Sequence, residues 1–256
     1  MIDKTRCFPF YIYELVNEND QLVNQIDGET LITSPSGKKY IRRENITNWA
    51  LNQYRHRYGY QVGKEDIFYY IYGLFHSLDY RRRFENDLKK MLPHIPFVRT
   101  PEDFWAFSQA GRDLAELHLN YETVEPWPLV EEIKGDKNSF ETYWVKIMRF
   151  GKTPDKKEDK TVILYNEHIR LRDVPNEAYE YIVNGKSAIE WIMDRYQVKT
   201  DKKSGITNDP NKWLEEQNDP RYIVDLIKRV TRVSVETVRI MKELPELDIE
   251  IPDTNS

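Results

Sequence analysis

The hydrophobic pattern of this chain changes period once, at the proline-rich break Glu125-Pro126-Trp127-Pro128. Before the break, apolar residues recur every three or four positions. In Glu65–Ser77, the residues Ile67, Tyr70, Ile71, Leu74 and Phe75 fall on one helical face. Thr47 caps a helix expected through Arg57, and a further helix runs from Asp79 to Leu92, where Pro93 stops it. Pro101 opens another that carries Phe104, Phe107, Leu114 and Leu117. After the break, Tyr143–Phe150 alternates like a strand, and Thr161–Tyr165 and Ile169–Leu171 read as its antiparallel neighbours. The charged run Lys152–Lys160 is a solvated hairpin loop between two of them. Helices are expected at Asn176–Val183 and Ser187–Tyr196, a short one from Asp209-Pro210, and a long one from Asp219-Pro220 to Leu244. Near the start, Phe8–Tyr13 and Thr30–Ile32 read as strands, the second flanked by turn signals Asp27-Gly28 and Ser34-Pro35-Ser36-Gly37. The expected class is α+β, mostly helical with a small antiparallel sheet. The break separates an N-terminal lobe, 1–125, basic and helix-rich, from a C-terminal lobe, 126–256, with the sheet followed by helices. One compact domain is the alternative.

Composition narrows the function classes. The chain has 256 residues, enough for a substantial core. No apolar run approaches the roughly 20 residues that span a bilayer. Met1-Ile2-Asp3-Lys4 lacks the apolar centre of a signal peptide. The single cysteine, Cys7, has no partner for an internal disulfide, which fits a reducing cytoplasm. One cysteine and five scattered histidines exclude a cysteine-based zinc site. A net charge of −5 argues at first against a nucleic-acid binder. Yet Ser36–Arg99 holds 13 Lys and Arg against 6 Asp and Glu, a surplus of +7 that leaves −12 to the rest. Such a segment could form a local phosphate-facing surface. Alternation of charges on solvated helices explains it equally well.

Motifs that imitate catalytic signatures do not hold up. Gly185-Lys186-Ser187 resembles the end of a phosphate-binding loop, but that loop needs a glycine five positions earlier, where Glu180 stands. The expected role is structural, with Gly185 ending one helix in a left-handed conformation and Ser187 capping the next. Pro154-Asp155 with Glu158-Asp159-Lys160 imitates a metal-dependent nuclease, but its carboxylates crowd a polar loop instead of converging from adjacent strands. Asp219-Pro220-Arg221-Tyr222 approximates a methyltransferase motif with Arg221 in place of the second proline. His76 and His118 lie near aromatic helix faces and are expected to pack or cap. Trp105, Trp144, Trp191 and Trp213 are expected as core anchors.

Several ordered blocks carry a family resemblance. The stretch 181–211 contains Asn184-Gly185-Lys186-Ser187, Glu190-Trp191 and Thr207-Asn208-Asp209-Pro210-Asn211. Upstream stand Asp66-Ile67-Phe68-Tyr69-Tyr70-Ile71-Tyr72, His76-Ser77, Tyr80-Arg81, His94-Ile95-Pro96-Phe97, Phe104-Trp105, Gly111-Arg112-Asp113-Leu114 and Leu117-His118-Leu119. Pro220-Arg221-Tyr222 opens the last element. Together these blocks resemble the C-terminal region of type ISP restriction-modification enzymes, from about Phe8 to about Leu244 and most weakly before Thr47. Those enzymes are long single polypeptides that join a nuclease, a helicase-like motor, an adenine methyltransferase and a target-recognition domain. The resemblance implies a target-recognition-domain-like fold and a sequence-specific role on duplex DNA. It implies no catalytic group, metal or cofactor in this chain, while the parent enzyme would use S-adenosylmethionine, ATP and Mg²⁺. The expected partners are DNA and the methyltransferase and helicase-like domains of the same polypeptide, in the cytoplasm and away from any membrane. The alternative is a docking module that braces those domains and never touches bases.

Under the DNA-binding expectation, three polar segments supply candidates, because Lys, Arg, Asn and Gln suit phosphates and base edges. They are Lys38, Lys39, Arg42 and Arg43; Arg55 and Arg57 within Gln53–Arg57; and Lys199, Lys202, Lys203 and Asn208 within the loop 199–208. The first two groups are expected at phosphates, and the loop is expected to discriminate among sequences. A plain solvated surface, or for the loop a structural buttress, is the competing account. Arg81, Arg82 and Arg83 are consecutive, so a helix would spread them and let at most two face one ligand.

Overall fold

In the computed structural model, which describes residues 8–16, 30–90 and 92–249, the chain divides into two units. The first is Met1–Asp113 with Leu244–Ser256, and the second is Leu114–Glu243. The proline break at 125–128 lies inside the second unit. The turn signal Asp27-Gly28 and Cys7 lie outside the described residues.

The first unit opens with strands β1 (Tyr11–Leu15), β2 (Thr30–Thr33) and β3 (Lys39–Glu44), antiparallel in the order β1-β3-β2. Helices α1 (Asn48–Tyr58), α2 (Lys64–His76), α3 (Leu78–Arg83), α4 (Glu85–Lys90) and α5 (Pro101–Leu119) follow, the last belonging to this unit as far as Asp113. The single helix expected over 79–92 is broken at Phe84, whose ring stacks on Tyr80 at 4.9 Å. The core is aromatic. Tyr54, Tyr58, Tyr70, Phe104 and Phe107 are buried, and Tyr58 stacks flat on Phe104 at 4.5 Å. Three of its tyrosines keep their hydroxyls hydrogen-bonded, as burial requires. Tyr80, Tyr70 and Tyr58 donate to the carbonyls of His94, Pro96 and Val98 at 2.6, 2.7 and 2.6 Å. Every second carbonyl of the non-helical link before α5 is thereby pinned. Burial pushes the Tyr80 hydroxyl up to about 12, and those of Tyr54 and Tyr70 still higher, so all three stay neutral.

Helices α2 and α5 approach through two glycines. A Cβ on Gly111 would stand 1.9 Å from the Tyr69 carbonyl oxygen, and one on Gly73 would stand 2.2 Å from that of Phe107. Beside this contact, Asp66 accepts from Arg112 at 2.7 Å and from the Gly63 amide at 2.8 Å, while Ser108 donates to the Asp66 carbonyl at 3.0 Å. The chain returns after Glu243 to place Val98 opposite Ile249 in an antiparallel bridge.

The second unit contains β4 (Val130–Ile133), α6 (Phe140–Tyr143), β5 (Arg149–Lys152), β6 (Glu158–Leu164) and β7 (Ile169–Arg172). Its sheet is antiparallel in the order β4-β7-β6-β5. Next come a 3-10 turn (Asn176–Tyr179), β8 (Ile182–Val183), β9 (Lys186–Ser187), α7 (Ala188–Arg195), β10 (Lys199–Thr200), β11 (Thr207–Asn208), α8 (Pro210–Gln217) and α9 (Tyr222–Glu243). Ile163, Ile169 and Leu171 of the sheet, with Tyr165 just after β6, share one core with Ile189 of α7 and Ile223, Val224, Ile227 and Val230 of α9. Glu131 ties the sheet to α9, accepting from Lys228 at 2.6 Å and Arg221 at 3.0 Å. Burial alone would raise the Glu131 carboxyl, but these two cations outweigh it and hold it below the usual range.

Two expectations need correction here. Tyr143–Phe150 is not a strand: α6 ends at Tyr143 and β5 begins only at Arg149. The alternation is present, with Tyr143 and Val145 buried and Trp144 and Lys146 exposed, but among the described residues no strand pairs with 143–148. Asn176–Val183 is not a helix. The 3-10 turn ends at Tyr179, and a hairpin follows whose tip is Asn184-Gly185, with φ of 50° and 83°. Asn-Gly with two positive φ values is the favoured chemistry of a two-residue hairpin turn. Gly185 is therefore left-handed as expected, but in a hairpin and not at a helix end. Ser187 does cap α7, in a capping box with Glu190.

Candidate nucleic-acid interface

The loop 199–208 is a defined hairpin. β10 and β11 pair Lys199 with Asn208 and Thr200 with Thr207. Its turn is organised by one carboxylate: Asp201 Oδ1 accepts from the amides of Lys203 (3.0 Å) and Ser204 (2.7 Å) and from the Ser204 hydroxyl (2.9 Å). Those bonds, led by the Ser204 amide, hold the Asp201 carboxyl below the usual range. Gly205, at φ +70°, closes the turn by donating to the Asp201 carbonyl at 2.9 Å. All residues from Lys199 to Asn208 are exposed, Ile206 to 71%. Lys199, Lys202 and Lys203 form no ion pair among the described residues. Asn208 donates weakly, at 3.5 Å, to the Arg195 carbonyl.

At the foot of this hairpin, Val198 donates to the Lys146 carbonyl at 2.9 Å. That bond joins the hairpin to the segment between α6 and β5, which is held by two asparagines in place of a strand. Asn211 accepts from the Val145 amide at 2.8 Å and donates to its carbonyl at 2.9 Å. Asn166 donates to the carbonyls of Thr142 and Trp144, each at 2.9 Å. The backbone is satisfied inward, and Trp144 (40% exposed), Lys146 and Ile147 are left outward. With Arg149, Asn166 and His168 they line an open depression of ≈ 630 Å³. Sequence reasoning missed this shelf, because the alternation of 143–150 pointed to a paired strand and a buried Trp144. Trp213 is also partly exposed, at 39%, against Tyr222.

In the first unit the candidate cations divide into two sets. Lys38 and Lys39 stand exposed at the turn between β2 and β3, with no ion pair among the described residues. The four arginines are engaged within the fold. Arg42 lies over the Tyr11 ring at 4.4 Å, and Arg43 pairs with Glu14 at 2.8 Å. Arg55 donates through Nε to the Val62 carbonyl at 2.8 Å. Arg57 donates to the Val98 carbonyl at 3.4 Å and lies 5.2 Å from the Phe97 ring centre. Arg82 and Arg83 both pair with Asp79.

The imitative motifs have structural partners. Lys186 pairs with Asp194 at 3.2 Å and lies over Trp191, while Asp155 pairs with Lys157 and Asp159 accepts from Thr161. His76 Nδ1 meets the Tyr72 carbonyl at 2.9 Å, and burial lowers its pKa. His118 Nε2 is 3.0 Å from the Thr237 hydroxyl, and its ring stacks on Tyr181. Among the described residues, no three His, Cys, Asp or Glu side chains converge as a metal site, and no helix is long and apolar enough to cross a membrane.

No curated protein matches the chain. Among solved structures, the ATP-dependent Type ISP restriction-modification enzyme LlaBIII bound to DNA matches with a TM-score of 0.73 and 38% identity, over 94% of this chain and 14% of its own. A nuclease-deletion mutant of the Type ISP enzyme LlaGI, in complex with a DNA substrate mimic, matches at 0.65 and 41%, over 84% of this chain and 16% of its own. The DrdV–DNA complex matches at 0.69 and 29%, over 85% and 21%. The chain thus spans between 14% and 21% of the length of these proteins. A profile of the Type ISP C-terminal specificity domain matches residues 1–226. The chain belongs to that family, the C-terminal specificity domains of Type ISP restriction-modification enzymes.

Proposed function

We propose that this chain selects the duplex DNA sequence on which a larger Type ISP restriction-modification enzyme acts. The observation that carries the proposal is the β10–β11 hairpin, exposed throughout and bearing three lysines with no ion pair among the described residues, in a chain whose relatives were solved with DNA. Lys199, Lys202 and Lys203 bring the hairpin to the phosphates, and Asn208 offers a carboxamide to base edges. Lys38 and Lys39 are the most available phosphate contacts of the first unit, with Arg42, Arg43, Arg55 and Arg57 behind them. The chain itself is not catalytic. Methyl transfer, ATP-driven translocation and cleavage, with S-adenosylmethionine, ATP and Mg²⁺, fall to other domains of the polypeptide, in the cytoplasm.

Exchange of this region between two family members is the direct test. The recognised sequence should move with it. If the exchanged enzymes stay folded and each keeps its original site, the proposal fails. One observation favours a second function, docking onto the neighbouring methyltransferase or helicase-like domain. It is an open depression of ≈ 490 Å³ in the first unit, lined among others by Phe68, Ile71, Phe75 and Ile95.

A further inference from the structure

Helix α1 turns outward a face that the fold does not use. Asn48, Trp49, Asn52, Gln53 and His56 are exposed, Trp49 to 72%. At 3.6 residues per turn they share an arc of about 140°. The opposite side, with Leu51, Tyr54 and Tyr58, packs into the aromatic core. The side chains of Asn48, Asn52, Gln53 and His56 make no hydrogen bond among the described residues. Arg55 and Arg57 stand at the two margins of the arc. Toward its C-terminal end, Gln53, His56, Arg57, Phe97 and Arg99 line an open depression of ≈ 350 Å³, where Asp248 pairs with Arg99.

The chemistry of this face is unusual for a solvated helix. Such helices ordinarily mix Glu and Lys. Here the run 45–63 contains no Asp or Glu, in a chain that has 43 of them. The run itself therefore places no carboxylate on the helix, and the neighbouring Asp248 is neutralised by Arg99. The face consists of uncharged carboxamides, an imidazole and an indole. A carboxamide donates and accepts at once, which matches the N6 and N7 edge of adenine. A helix is about 10–12 Å across, and the major groove about 12 Å wide. The buried tyrosines hold the helix rigid. The Tyr58 hydroxyl on Val98 and the Arg55 guanidinium on Val62 fix its rotation.

We propose that α1 is the base-reading helix of the first unit, lying in the major groove of duplex DNA with Asn52 and Gln53 addressed to adenines. This rests on the DNA-selecting function proposed above and adds a reader apart from the hairpin. The test is selection from a randomised duplex pool by the chain, compared with its Asn52→Ala/Gln53→Ala variant, after equal thermal midpoints are confirmed. The wild type should enrich a motif that contains adenines. The variant should lose preference at one or two of them, with a roughly 10- to 100-fold drop on the enriched site and unchanged binding to other duplexes. A second arm leaves the protein intact. Replacing those adenines by 7-deazaadenine removes the N7 acceptor and should weaken the wild type while sparing the variant. A variant that keeps the whole motif overturns the assignment to α1 and leaves the proposed function standing. If that variant instead loses association with the methyltransferase domain, the face is a docking surface. Equal weakening on every duplex overturns base reading in favour of phosphate contact. If the wild type enriches nothing, the DNA-selecting function fails and the helix assignment falls with it.

Discussion

Helix α1 and the β10–β11 hairpin are ordered by opposite means. One side of α1 packs inward through Tyr54 and Tyr58, and these tyrosines of the aromatic core set its rotation. The hairpin has no buried residue, and its shape comes from hydrogen bonds that close within ten residues around Asp201. A surface anchored by burial presents side chains at fixed angles, and altering its support damages the core. A surface braced by local hydrogen bonds can change its side chains at little cost to stability, because surface substitutions away from buried features usually stay within about 0.5 kcal/mol.

The largest expected effect tests the anchored side. Gly111→Ala would place a Cβ 1.9 Å from the Tyr69 carbonyl oxygen, so α2 and α5 must separate. A loss of about 3 kcal/mol in chemical denaturation is expected, at the upper end of overpacking costs. An unchanged midpoint would mean that this contact does not hold the first unit together. The hairpin should behave oppositely. Lys199→Ala/Lys202→Ala/Lys203→Ala should leave the midpoint unchanged and lower the salt dependence of DNA binding by roughly 2–3 units of log–log slope. A large drop in stability with the slope preserved would make the hairpin a buttress.

The smallest effect distinguishes the units by pH. Burial lowers His76 below its ordinary 6.5, so the unfolded chain takes up this proton before the folded chain does. Its contribution is complete above pH 6.5 and is lost as pH falls below that value. Glu131 in the second unit is held below its ordinary 4.5, so its contribution survives to lower pH and is lost only as pH falls through its depressed folded value. His76→Gln should therefore flatten the decline in stability as pH falls below 6.5. A decline identical to that of wild type would assign it to other groups.

What the sequence made legible follows the same division. Residues that pack announce themselves by period, so α2, α5 and α9 and the strands β6 and β7 lie where the pattern placed them, although β7 pairs with β6 and β4 and not with the segment 143–150. Gly111, Arg112 and Asp66 lie in the blocks that carry the family resemblance, and each has a packing or bridging task. The hairpin was visible as a polar loop with a glycine and Asn208-Asp209-Pro210. The shelf at Trp144–Ile147 was not, because its backbone partners are the side chains of Asn166 and Asn211, distant in sequence and silent in any periodic pattern. Asn184-Gly185 is a hairpin signal, but the apolar residues before it read as a helix that Gly185 would end. On α1 the arginines drew attention, although the fold engages them. For the proposed reading helix, the sequence signal is the absence of acids in 45–63, a pattern defined by what is not there.

Within the shelf the two asparagines hold main-chain atoms of residues 142–145, which every amino acid possesses. Positions 144, 146 and 147 can therefore be rewritten over generations without renegotiating the architecture beneath them. Lineages that must keep changing the signature they recognise would find in this strip, and in the hairpin bonded to it, an inheritable cassette for variation. The aromatic half of the first unit, by contrast, is free to stay as it is.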